Sequence, residues 1–173
     1  MGEPGVPPEE FRRTLHLRDG RDVTIAPLTP DDTGRLAEAL RDADPQTLHA
    51  RFCGAPPHVT PELLRHLTEL DYVNRFALVA SDPDGHGVAL ARYEATGEPG
   101  VAEVALAVEP QWRRAGLGSA LIRMLAEAAL ARGFTLFTAV YLADNRAVAD
   151  LLDEVHGHTT IAEGIAEATI RLT

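Results

Sequence analysis

The sequence predicts one α/β domain built on a mixed β-sheet, and three observations lead there. Apolar residues run together or alternate in short segments, then shift to helical spacing in others. The order of these segments is β-α-α-β-β-β-α-β-α-β-β, which gives seven strands. No repeat, low-complexity tract or linker divides the 173 residues, whose 45% hydrophobic and 24% charged content is that of an ordinary globular domain.

The elements follow from local signals. Val23 and Ile25 alternate with polar residues through RDVTIAPL, giving the first strand. LTPDD then starts a helix: Thr29 can cap, Pro30 suits the first helical position and Asp32 completes a capping-box pattern. That helix runs through Leu36, Ala37 and Leu40, and a further helical region surrounds Gln46 to Phe52. Thr60-Pro61-Glu62 repeats the cap signal before Leu63, Leu64 and Leu67. FALVA (Phe76–Ala80) and VALARY (Val88–Tyr93) are strands joined by the DPDGHG turn. VAEVALAV (Val101–Val108) is the next strand, after TGEPG. A long helix extends from about Gly116 to Arg132 and is closed by Gly133. FTLFTAVYL (Phe134–Leu142) is a strand, and a helix covers about Asn145 to Val155. HTTIA and IAEATIRL form a last strand pair around Glu163-Gly164.

Composition narrows the function. The net charge is −10 and all 16 basic residues are arginine. An acidic surface argues against nucleic acid, whose binding is dominated by phosphate neutralisation, and it favours a cationic substrate at long range. No apolar run is long enough to span a membrane. MGEPGVPPEE has neither the basic nor the apolar region of a signal peptide and reads as part of a disordered lead over residues 1–11. With the single cysteine, Cys53, it points to a cytoplasmic protein. Cys53 follows Phe52 and reads as an apolar contact. His156 and His158 have metal-pair spacing without an evident third ligand, so no metal site is expected.

The segment richest in chemistry is Arg113-Arg114-Ala115-Gly116-Leu117-Gly118, an R-x-x-G-x-G stretch between a strand and a helix. Backbone N–H groups at a helix start converge on one point, and the helix dipole adds positive character there. Glycine lets an anion approach where a β-carbon would block it, and Arg113 and Arg114 can add charge-assisted bonds. The stretch is not a Walker loop, which needs G-x-x-x-x-G-K-[ST], nor a dinucleotide fingerprint, because Ala120 and Leu121 stand where the third glycine would fall. A GxG pair alone also fits a plain, glycine-eased helix entry.

The stretch AEVALAVEPQWRRAGLGSALIRMLAEAALARGFTLFTAVYLADNRAVADLL resembles the core of the GNAT acetyltransferases. Their Q/R-x-x-G-x-G/A signature follows a strand, opens a helix and binds the pyrophosphate of acetyl-CoA. Upstream, LRDGRDVTIAPLTPDD, ARFCG and LTELDYVNRFALVAS resemble the protein-lysine acetyltransferase branch. The resemblance implies a single GNAT domain over residues 12–173, with a splayed central strand pair. It implies coenzyme contacts from the strand end Leu106, Ala107 and Val108, from the loop Arg113, Arg114, Ala115, Gly116, Leu117, Gly118 and Ser119, and from Asn145. Asn145 also reads as a helix cap.

In that branch an acidic residue on the strand before the loop takes the proton of the attacking amine. Glu103 fills the role here, on the strand face shared with Val101, Ala105 and Ala107, where small neighbours leave room; a solvent-facing strand glutamate is the plain alternative. One departure stands out: the family's tyrosine seven residues after the Asn, a general acid near the sulfur, is Leu152. Tyr72, Tyr93 and Tyr141 are the tyrosines that could replace it. The expected activity is direct acetyl transfer from acetyl-CoA to a primary amine, a protein lysine by branch resemblance. A small cationic amine is the rival acceptor, and a non-catalytic acyl-CoA-binding module the rival class.

Overall fold

The computed structural model describes residues 5–42, 60–142 and 146–172. Its mixed sheet has eight strands: β1 (Arg13–His16), β2 (Asp22–Pro27), β3 (Arg75–Ser81), β4 (Gly87–Ala95), β5 (Val101–Val108), β6 (Leu136–Leu142), β7 (His158–Ala162) and β8 (Ile165–Arg171). They lie in the order β1-β2-β3-β4-β5-β6-β8-β7. Four helices are present among the described residues: α1 (Thr33–Asp42), α2 (Pro61–Thr68), α3 (Leu117–Ala131) and α4 (Arg146–Glu154). None of them is long and apolar enough to cross a membrane. The segment around Gln46 to Phe52, with Cys53, and Asn145 lie outside the described residues.

The α/β class and the element order match the sequence expectation, with one strand more than the seven expected. β1 pairs antiparallel with β2 as a sheet edge, and most of its residues are exposed. An edge strand with a single half-buried apolar residue, Leu15, carries no apolar alternation, so the pattern is silent there. At the N-terminus, residues 5–11 of the stretch expected to be a lead lie among the described residues. The Gly5 N–H donates to the Leu70 carbonyl at 2.9 Å, and Phe11 is buried edge-on against Phe76, 5.4 Å between ring centroids. One aromatic residue among prolines and glutamates has no period to betray its burial.

Cap signals place the helices as expected. Thr60 Oγ1 accepts from the Leu63 N–H at 3.1 Å, and Asp32 Oδ2 accepts from the Thr29 N–H at 2.9 Å. In the second case the chain makes a 3-10 turn over Pro30–Asp32 before α1 begins. Glu163 and Gly164, φ 53° and 80°, form a turn with two left-handed residues that suits the β7–β8 hairpin.

Two features of the sheet position the site. First, its faces differ. Cross-strand register pairs Tyr93 with Val104 and Glu94 with Glu103. The face of Tyr93, Phe76 and Val104 is buried, with Arg132 at the end of α3 lying over the Phe76 ring. The opposite face carries Glu94 and Glu103, and His66 of α2 lies 3.5 Å from Glu94. Second, β5 and β6 are parallel neighbours only over Val101–Leu136, Ala102–Phe137 and Glu103–Thr138. Beyond that β5 stays with β4 as far as Val108, and β6 stays with β8 as far as Leu142. The central pair therefore splays after Glu103.

The link from α2 into β3 is held by one carboxylate. Asp71 Oδ1 accepts from the N–H groups of Val73, Asn74 and Arg75, each at 2.9 Å. Burial alone would raise its pKa, but these three bonds and the Arg75 charge outweigh it and hold it below the ordinary value. A depressed carboxyl contributes stability that is present above about pH 4 and lost as the pH falls through its folded-state pKa. Asp71→Ala should therefore cost about 1–3 kcal/mol in urea unfolding at neutral pH. The gap from wild type should narrow in acid.

Candidate active site

After β5 the chain makes a 3-10 turn, Pro110–Trp112, and then the glycine loop. Arg114 and Gly116 both have left-handed backbones, φ 62° and 90°. For an arginine this conformation is costly, by roughly 1 kcal/mol, and such residues concentrate at ligand sites. Gly116 is the N-cap of α3 and offers no side-chain cap, so the first-turn N–H groups depend on another partner. Successive N–H groups around left-handed residues form the kind of concavity that takes an anion.

The loop is braced from both sides. Arg113 Nε donates to the Val108 carbonyl at 2.9 Å, tying the loop to the end of β5. The turn between β1 and β2 presses on it from the other side: Arg18 N–H donates to the Ala115 carbonyl at 3.1 Å. Arg21 lies 4.0 Å above the Trp112 ring and donates to the Gln111 carbonyl at 2.8 Å. Trp112 is buried beside the loop.

A cleft of about 300 Å³ opens in front of the loop. Leu106, Ala107 and Val108 form one wall; Arg113, Arg114, Gly116, Gly118 and Ser119 form the floor. A β-carbon on Gly118 would stand 3.3 Å from Leu106 and 3.4 Å from Leu151, so glycine keeps the cleft open at that point. Ala115 and Leu117, also expected at the coenzyme, are buried and do not line the cleft with their side chains. Sequence reasoning missed three charged residues here. Arg18 comes from the distant hairpin, while Asp150 and Glu154 come from α4. Arg114 Nη1 is 3.7 Å from Asp150, and Ser119 Oγ donates to Glu154.

A second cleft, about 330 Å³, contains Glu103 together with His66, Arg92 and Leu152. The two clefts share Leu106, Val148 and Leu151, so they meet at the gap between β5 and β6. Glu103 is exposed, as the last β5 residue paired with β6. Its neighbour Glu94 is compensated by Arg92 at 2.9 Å, His66 at 3.5 Å and Arg75 at 3.9 Å. Burial presses Arg92 below the ordinary arginine pKa, against the charges of Glu94 and Glu103. Strand alternation would have put Arg92 and Glu94 on the Glu103 face; the nearness of His66 needed the fold.

The sequence model of the Acetyltransferase (GNAT) family matches residues 40–157. The chain belongs to that family. It is 36% identical over 138 residues to an acetyltransferase of Pseudomonas aeruginosa, covering 78% of this chain and 74% of that one. Over 143 residues it is 30% identical to acetyltransferase Pat of Mycolicibacterium smegmatis, covering 82% of this chain but only 43% of that longer protein. The GNAT domain of S. lividans PAT superposes with a TM-score of 0.87 at 26% identity, over 95% of this chain and 99% of that one. A phosphinothricin acetyltransferase of Sinorhizobium meliloti, solved with acetyl-CoA, shares the fold with a TM-score of 0.71 at 18% identity, over 87% and 88% of the two chains.

Leu152, in the slot of the family's tyrosine, is buried among apolar neighbours. Tyr72 and Tyr93 are occupied elsewhere. Tyr72 Oη donates to the Leu28 carbonyl at 2.7 Å, and Tyr93 Oη to the Val73 carbonyl at 2.9 Å. Burial raises the first to about 12 and the second further still. Neither is suited to give up a proton near neutral pH. Tyr72→Phe and Tyr93→Phe should each lower stability by about 1–3 kcal/mol, since a buried carbonyl loses its donor. Turnover per folded molecule should stay at the wild-type level, measured by thiol release below the melting range.

Proposed function

We propose that this GNAT acetyltransferase transfers the acetyl group of acetyl-CoA to the side-chain amine of a protein lysine, with Glu103 as general base. One observation carries the reading: β5 and β6 part at Glu103, between a glycine-started helix on one side and an exposed carboxylate on the other. The first-turn N–H groups of α3 and the loop arginines are matched to the coenzyme pyrophosphate. The free edge of β5 offers peptide groups to the amides of the pantetheine arm. Glu103 faces the acceptor's side of the sheet, and its carboxylate takes the proton, directly or through one water.

The steps balance simply. The lysine ammonium loses one proton to Glu103, the neutral nitrogen attacks the thioester carbon, and backbone N–H groups of β5 steady the resulting oxyanion. Collapse breaks the carbon–sulfur bond, and the second nitrogen proton leaves as the amide forms and passes through water to the departing thiolate, giving the free thiol. An ordinary thiol has a pKa of about 8.5, against about 10.4 for a lysine ammonium, so deprotonating the amine is the harder proton transfer at pH 7. This is why Leu152 in place of a tyrosine is compatible with turnover.

Glu103→Gln tests the reading. It should lower kcat by about 10²-fold or more, leave acetyl-CoA affinity within about twofold, and regain activity as the pH rises toward that of the free amine. Lysine peptides and small polyamines, compared by thiol release, separate the protein acceptor from the small one. Coenzyme binding with no transfer to either would make the chain a binding module. Wild-type turnover in the Glu103→Gln protein would remove the base from the mechanism.

A further inference from the structure

The cleft at the glycine loop is built for an anion, yet α4 turns two carboxylates into it. Asp150 and Glu154 are one helical turn apart, so they share a face. Each is set against an arginine, Asp150 against Arg114 and Glu154 against Arg18, whose Nη2 is 4.0 Å from the Glu154 carboxylate. Arg18 belongs to the β1–β2 turn, far from the loop in sequence. Its guanidinium nevertheless lies directly over the start of α3: a β-carbon on Gly116 would stand 3.3 Å from Arg18 Nε. Its backbone is bonded to Ala115, and the Arg21–Trp112 contact holds the same turn in place.

We infer that Arg18 is a ligand of the coenzyme pyrophosphate, and that Glu154 holds the phosphate's partners until the coenzyme displaces it. The inference rests on the coenzyme reading of the loop. The Arg18–Glu154 pair is long, and its side chains are 65% and 46% exposed, so it contributes little and is not what places Arg18. The hairpin places it. A pyrophosphate carries more charge and more acceptor oxygens than one carboxylate, and it matches the planar fork of a guanidinium. Exchange therefore runs toward the coenzyme. Glu154 has a second partner. Ser119 is buried, and its hydroxyl donates to Glu154. Without an acceptor that buried hydroxyl would be left unsatisfied.

Titration calorimetry with coenzyme A and with 3′-dephospho-coenzyme A tests this on the full chain. Arg18→Ala should weaken both ligands by about tenfold or more and to the same extent, because both carry the pyrophosphate. Arg18→Lys should recover part of the loss. Glu154→Gln keeps a hydrogen-bond acceptor but removes the competing charge, so it should tighten both ligands by about two- to fivefold. Arg18 is largely exposed, and an unchanged melting temperature checks that the variants fold. Arg18→Ala binding within about twofold of wild type overturns the inference. So does a loss confined to coenzyme A, which would put Arg18 on the 3′-phosphate, and so does weaker binding by Glu154→Gln. A wild-type chain that binds neither ligand overturns the coenzyme reading itself, and this inference with it.

Discussion

The pairing between β5 and β6 lasts three residue pairs, and the arrangement of the site follows from where it stops. Each strand keeps its other neighbour, so the divergence leaves backbone groups unpaired on the two facing edges alone. Groups of that kind are rarely left orphaned in a folded protein; water or a ligand must meet them. A ligand with amide groups of its own satisfies such an edge as an added strand would. The same divergence sets Glu103 at the fork. Leu106, Val148 and Leu151 line the space where the two clefts meet, an apolar passage between the phosphate-like end and the carboxylate.

Charge is distributed to match this division. The chain is strongly acidic overall, yet Arg18, Arg113 and Arg114 gather at the glycine loop. Arg113 spends its Nε on the Val108 carbonyl, so it shapes the loop as well as adding charge. On the other face of the sheet, Glu94 draws in Arg92, Arg75 and His66. No hydrogen bond or ion pair among the described residues engages the neighbouring Glu103 carboxylate. The arginines suit the loop side to an anion, while on the opposite face Glu103 is left as a carboxylate beside an already compensated Glu94.

Much of this was legible in the sequence where a local rule operates. Alternation and apolar runs marked the strands from Phe76 onward, Thr60 and Pro61 marked the start of α2, and Gly116 and Gly118 marked the helix that begins at the cleft. The rest depends on contacts that no local pattern encodes. β1 is an edge strand whose one apolar contact with the core is Leu15, and Phe11 is an isolated aromatic residue packed against Phe76. Arg18 reaches Gly116 because the hairpin folds onto the loop, and Glu154 reaches Ser119 because α4 packs beside α3. The loop arginines were read by type alone. Which carbonyl or carboxylate each one meets is a matter of tertiary geometry.

Backbone amide NMR tests most directly whether a coenzyme lies along β5 with its pyrophosphate at the start of α3. On titration with acetyl-CoA, the largest shifts should fall on the N–H groups of Leu117, Gly118 and Ser119 and on Val104 to Val108. The outer strands β1 and β7 should stay unchanged away from the Arg18 turn. Saturable shifts centred on another surface, with these amides unmoved, would contradict it.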